Sequence, residues 1–182
     1  MKCTSADAEK RAAFFVADLM AAAARTAPKG CGVDNIEIII LDGEEKDKLA
    51  SHMRKIAKET GAEFFNRDAG NVDNSHCIVL IGIKDNPLGL ESCGLCGFEN
   101  CGMMRKAGAN CTFNITDLGI AVGSAASIAG DNRIDNRVFY SAGKAAVATG
   151  VFPEDVRVAY GIPLSTTSKS IFFDREPGCV LV

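Results

Sequence analysis

The stretch that most constrains this chain is Ser92–Thr112, SCGLCGFENCGMMRKAGANCT, which holds four of the chain's eight cysteines. Cys93, Cys96, Cys101 and Cys111 are spaced C-x2-C-x4-C-x9-C. Soft ligands this close together can surround one metal centre only if the backbone doubles back between them. Gly94, Gly97 and Gly102 supply the freedom for such turns and let amide groups come near a bound centre. The spacing predicts a short helix from Gly102 to Ala107, just after Cys101, with its positive end toward the centre.

The ligand spacing favours iron over zinc without deciding between them. Zinc ribbons usually pair two C-x2-C knuckles across a long spacer. This chain has one knuckle followed by a lone Cys101 and a lone Cys111. The C-x2-C-G-x3-C core is similar to that of small iron–sulfur domains in anaerobic electron-transfer proteins. It departs from them in having its fourth cysteine closer, and from bacterial ferredoxins in lacking C-x2-C-x2-C-x3-C-P. The expectation is a [4Fe–4S] cluster on Cys93, Cys96, Cys101 and Cys111, with structural zinc as the alternative metal and a metal-free segment as the third reading. Cys77 reads as a buried strand thiol, Cys3 and Cys179 as incidental, and Cys31 as a loop residue that could be exposed and reactive.

Outside this segment, helix and strand signals alternate. Thr4–Ala27 is a helix, capped by Thr4 or Ser5, with Phe15, Val16, Leu19, Met20 and Ala23 at helical spacing. Its Ala21–Ala24 run suits close packing, including across a subunit interface. Ile36–Leu41 (IEIIIL) and His76–Ile83 (HCIVLIGI) read as inner strands covered on both faces. Glu44–Thr60 is an amphipathic helix, and Ala62–Ser75 reads as irregular. Thr116 is the expected cap of a small-residue helix running to Ala129. A turn at Asp131–Asn136, a helix at Arg137–Thr149, a short strand at Val156–Tyr160 and an extended tail follow. Asp68, Asp73, Asp131 and Asp135 are expected in turns, as solvated or capping groups. The fold class is α+β or α/β with a central sheet. One domain spans residues 1–182, and residues 86–114 form a four-cysteine insertion within it.

Charge and composition narrow the function. The formal net charge is −3 and the pI is near 5.4, so no strong field points to nucleic acid. No apolar run reaches the roughly 18 residues of a membrane span, and the start lacks the basic-then-apolar order of a signal peptide. With thiols clustered as in reducing compartments, the expected setting is cytoplasmic. His52 and His76 have no paired base, so neither suggests a catalytic dyad.

Three stretches resemble a nitroreductase, the fold of FMN-dependent oxidoreductases. AAARTAPKGCGVDNIEIIIL is similar to that fold's helix, flavin loop and following strand. ITDLGIAVGSAASIAG resembles its central helix, and PEDVRVAYGIPLSTTSKSIFFDR its last strand, turn and tail. With the cysteines, the whole resembles a prokaryotic family of uncharacterised proteins containing a ferredoxin domain. The resemblance implies an α+β sandwich, a homodimer with exchanged tails and an FMN site at the subunit interface. Lys29, Lys169 and Arg175 are then the residues that would meet the FMN phosphate. The arginine-rich segment that nitroreductases carry before their first long helix is missing, since MKCTSADAEK offers only Lys2 and Lys10. The implied function is iron–sulfur electron transfer or oxidoreduction, with a flavin or a redox partner protein. The alternatives are a metal-stabilised scaffold and a cluster-based sensor.

Overall fold

The computed structural model describes residues 2–173. Helix α1, Ser5–Thr26, starts in a capping box. The Thr4 hydroxyl accepts from the Asp7 N–H at 3.2 Å and the Asp7 carboxylate accepts from the Thr4 N–H at 3.2 Å. Two otherwise orphaned donors are satisfied reciprocally. At the other end the Lys29 ammonium donates to the carbonyls of Ala24, Arg25 and Ala27, at 3.1, 2.5 and 2.9 Å.

After β1, Ile36–Leu41, come α2, Gly43–Thr60, and α3, Phe64–Asp73. Then follow β2, Cys77–Lys84, α4, Cys101–Lys106, and α5, Thr112–Asp131. Strand β3, Asp135–Asn136, α6, Tyr140–Ala148, and β4, Val156–Ser165, complete the set. The sheet is antiparallel, in the order β1-β2-β4-β3.

Strand β2 organises two cores, because its side chains alternate between the faces of the sheet. Cys77, Val79, Ile81 and Ile83 pack with Val16 and Met20 of α1 and Leu118, Ala121 and Ala125 of α5. Ile78 and Leu80 pack on the other side, with Leu49, Met53, Phe65, Val72 and Ala142 of α2, α3 and α6. Helix α6 presses hard on the sheet. A Cβ on Gly143 would stand 1.9 Å from the Ala159 carbonyl oxygen, so only glycine permits this approach.

Several expectations are corrected. Strand β1 is not an inner strand but lies at the sheet edge, and all its residues after Ile36 are only half-buried. Its apolar run reflects β-propensity at an edge, not burial on both faces. Residues 64–73 form a helix because Phe65, Ala69 and Val72 fall on one buried face. Asp68 therefore sits in a helix, buried. It accepts from Arg67 Nε and Nη2 at 2.9 and 2.8 Å and from the Ser141 hydroxyl at 2.6 Å, tying α3 to α6. Asp73 and Asp131 end helices and Asp135 lies in β3. Thr116 does not cap α5. The helix starts four residues earlier, and the Thr116 hydroxyl bonds back to the Thr112 carbonyl at 2.9 Å. Helix α6 begins at Tyr140, and β4 continues through Pro163 to Ser165. That tail residues 174–182 are extended is an expectation outside the described residues.

Candidate metal centre

The cysteine segment leaves the sheet at the end of β2 and returns to it at α5. Its root is held by polar contacts. The Asn114 amide donates to the Lys84 carbonyl at 3.0 Å, the Asn35 amide to the Asn86 carbonyl at 3.1 Å, and the Asn86 amide to Asn35 Oδ1 at 3.0 Å. Beyond the root the chain makes irregular turns. Gly94 (φ 59°) and Gly97 (φ 81°) occupy the left-handed region as expected, and the Gly97 N–H donates to the Gly94 carbonyl at 2.9 Å, whereas Gly102 makes no turn and lies within the helix that begins at Cys101.

The expected short helix is present as α4, which begins at Cys101 itself. The Asn100 side chain accepts from the Met103 N–H at 3.0 Å and caps it. Met104 is fully buried and lines the cavity that the four cysteines share. Cys111 is the N-cap residue of α5, where no side-chain hydrogen bond caps the helix. The positive end of this long helix thus lies beside Cys111 and favours negative charge there.

Cys93, Cys96, Cys101 and Cys111 all line one cavity of about 20 Å³, walled by Leu90, Leu95, Phe98, Met104 and Phe113. Cys93, Cys96 and Cys101 are half-buried and Cys111 is buried. Among the described residues no three His, Cys, Asp or Glu side chains converge closely enough to hold a metal ion as they stand. The segment brings four thiols to one cavity without drawing them into a finished coordination sphere. The donor set is chemically uniform and its surroundings are mostly apolar, with Glu99, Asn100 and Thr112 also on the lining, and these residues fit a thiolate-bound centre.

The other cysteines lie apart from this cavity. Cys31 is exposed, at a φ of 53°, in the turn Gly30–Gly32. Cys3 is exposed, and its sulfur accepts from Arg11 Nη2 at 3.0 Å. Cys179 lies outside the described residues. Cys77 is fully buried in β2. Burial pushes its thiol up to about 12, assisted by Asp42 and Asp18. Because the thiolate is the nucleophile, native protein at pH 8 will not be alkylated at Cys77 while Cys31 reacts readily. Peptide mass spectrometry after brief iodoacetamide treatment checks this.

Of the three basic residues expected to meet a flavin phosphate, Lys29 has its side chain buried and its ammonium engaged by the end of α1. Lys169 is exposed in the segment after β4, and Arg175 lies outside the described residues. The loop after Lys29 is fixed by a residue that sequence reasoning missed. Buried Asp117 accepts from the Gly30 N–H with both oxygens, at 3.0 and 3.1 Å. The signal was present as a single acid within the apolar and small run of α5. A Cβ on Gly30 would also meet Leu88 and Phe113, so the loop and the start of α5 are in close contact.

The antiparallel sheet with helices on both faces defines a nitroreductase-like α+β fold. Nitroreductase CinD from Lactococcus lactis, in complex with nicotinic acid, superposes with a TM-score of 0.61 at 12% identity, over 86% of this chain and 79% of that one. A putative nitroreductase in complex with FMN from Desulfovibrio desulfuricans gives 0.59 at 15% identity, over 90% of this chain and 79% of that one. A nitroreductase with bound FMN from Desulfitobacterium hafniense gives 0.58 at 16% identity, over 85% and 78%. At these identities the likeness shows the fold. The model of a family described as uncharacterized proteins containing a ferredoxin domain matches residues 107–175, which include Cys111 and follow the other three cysteines of the segment. An uncharacterized protein of Archaeoglobus fulgidus is 45% identical over 168 residues, spanning 87% of this chain and 89% of the relative. The chain belongs to this family of uncharacterised proteins with a ferredoxin domain. Among the described residues no helix is long and apolar enough to cross a membrane.

Proposed function

We propose that this is an iron–sulfur redox protein in which Cys93, Cys96, Cys101 and Cys111 hold a [4Fe–4S] cluster. The observation that carries the reading is the lining of one cavity by all four thiols. A cluster bound there supplies one-electron chemistry, exchanged with a flavin or a redox partner protein. The chain's own contribution is to limit water at the thiols with Leu90, Leu95, Phe98 and Phe113, and to set the positive end of α5 beside Cys111. FMN is the flavin suggested by the solved nitroreductases that hold it. With Lys29 engaged in closing α1, the phosphate contacts fall to Lys169 and Arg175. A reducing cytoplasmic setting would keep the thiols available.

Anaerobic purification tests the reading. Brown protein with about four irons per chain and broad absorption near roughly 400 nm, bleached by dithionite, is the expected result. Colourless protein carrying one zinc per chain would sink it in favour of a metal-stabilised scaffold. A yellow fluorescent extract after heating reports flavin, and its absence removes FMN from the proposal.

The proposed assembly is a homodimer. On α1, Phe15 is 63% exposed and Leu19 37%, while Ile120 on the adjacent α5 is 40% exposed. Gly119, Gly123 and Ser127, also exposed on α5, leave room for a second backbone to approach. Sedimentation should give twice the chain mass, and Phe15→Lys should shift it to one. A wild-type monomer would remove the proposal.

A further inference from the structure

We infer that Arg157 is the positioning residue that clamps the two ends of the cysteine segment together. The inference rests on the reading of that segment as a thiol-bound centre. Arg157 lies on β4, outside the segment, yet its guanidinium reaches both of its ends. Nη1 donates to Asp85 Oδ2 at 3.2 Å, where the chain leaves β2, and to the Ala109 carbonyl at 3.4 Å. Nη2 donates to the Gly108 carbonyl at 2.8 Å. Gly108, at a φ of 69°, turns the chain directly after α4. Arg105, on α4 itself, adds a bond from Nη2 to the Asp85 carbonyl at 3.2 Å. The Asp85 N–H donates to the Asp155 carbonyl at 2.8 Å, fixing the exit point to the turn before β4.

An exposed ion pair by itself contributes little. This guanidinium differs because it joins three acceptors from two distant parts of the chain, a task that suits its planar fork and not a lysine's point charge. Its geometric effect falls between Cys101, which heads α4, and Cys111, which heads α5. Ala109 is two residues before Cys111, so the clamp sets the approach of α4, and with it Cys101, to the thiol rooted in the core. Without it the bond from Arg105 to the Asp85 carbonyl still joins α4 to the end of β2, but Gly108 and Ala109 lose their tie to β4. Groups that orient ligands in this way typically change metal affinity by about 10–100-fold when removed.

The test compares wild type with Arg157→Ala, Arg157→Lys and Asp85→Asn. In metal-free protein, alkylation of buried Cys111 should rise about tenfold in Arg157→Ala, with Cys77 still unreactive and Arg157→Lys between the two. In loaded protein, loss of metal to a chelator should accelerate by about 10–100-fold. Asp85→Asn should move both rates in the same direction, and it carries the test if Arg157→Ala does not fold. Wild-type rates for Cys111 in these variants would overturn the clamp. So would a parallel rise at Cys77, which reports general unfolding. A wild-type protein that takes up no metal refutes the reading of the cysteines, while the alkylation arm still judges Arg157.

Discussion

Cys96→Ser will lose the proposed metal centre while the body of the protein stays folded. Cys96 is the second arm of the C-x2-C knuckle and lines the shared cavity. A serine hydroxyl is a hard donor, and soft thiolates are what hold iron–sulfur clusters and structural zinc. The expected result is protein with iron well below the wild-type stoichiometry, no broad visible absorption and an unchanged far-ultraviolet circular dichroism spectrum. Secondary structure should persist because both cores are built from strands of the sheet and five helices that contain none of Cys93, Cys96 and Cys101. Cys31→Ser is the control. Cys31 is exposed, outside the cavity lining, and its loss should leave the metal content untouched. Stoichiometric iron in Cys96→Ser would show the ligand assignment to be wrong.

Gly143→Ala will have the largest effect on stability. The added Cβ would lie 1.9 Å from the Ala159 oxygen, 2.2 Å from the carbonyl carbon and 2.6 Å from Tyr160 Cα. All three are backbone atoms of an inner strand, so none can swing aside as a side-chain end would. Helix α6 must retreat from the sheet and open the packing of Ala142, Ala145 and Ala146 behind it. The expected cost is about 3 kcal/mol or more, which lowers Tm by roughly 10 °C for a chain of this size. Gly70→Ala is the contrasting substitution. It lies in α3 with nothing within 4 Å of the new methyl, and it should stabilise by about 0.5–1 kcal/mol. Thermal melts of both variants check the pair, and equal melting temperatures would contradict the close packing of α6.

What could be read from the sequence divides along physical lines. Helix α1 was legible because Thr4 and Asp7 make a local capping box, and the C-terminal stop was equally local. Strand β2 was legible because its continuous apolar run is buried on both faces. The same reasoning failed for β1, since an apolar run does not reveal where a strand lies in a sheet. Helix α3 was missed because polar residues surround only three buried apolar side chains, Phe65, Ala69 and Val72. In the cysteine segment the turns at Gly94 and Gly97 and the helix after Asn100 were predictable from local chemistry. The position of Cys111 at the head of α5 was hidden by Thr116, a good capping residue that the fold places inside the helix. Asp117 showed only as a lone acid in the small-residue run of α5, without its partner, and Asp85 and Arg157 were beyond reach. Their partners lie far along the chain, and nothing near an isolated arginine in a strand announces two backbone carbonyls from another element.

The attachment of the cysteine segment has a consequence for how a guest is installed. Strand β2 is bonded on both edges, and seven of its eight residues are buried. Its amides should be among the slowest to exchange with deuterium, opening only when the whole chain unfolds. The segment between Asn86 and Gly108 adds no strand to that sheet, and its amides should exchange far sooner, by a local opening. The two events are separable on the time axis of one exchange experiment. The group proposed for the four thiols would then be inserted or withdrawn after folding is complete, with the sheet intact.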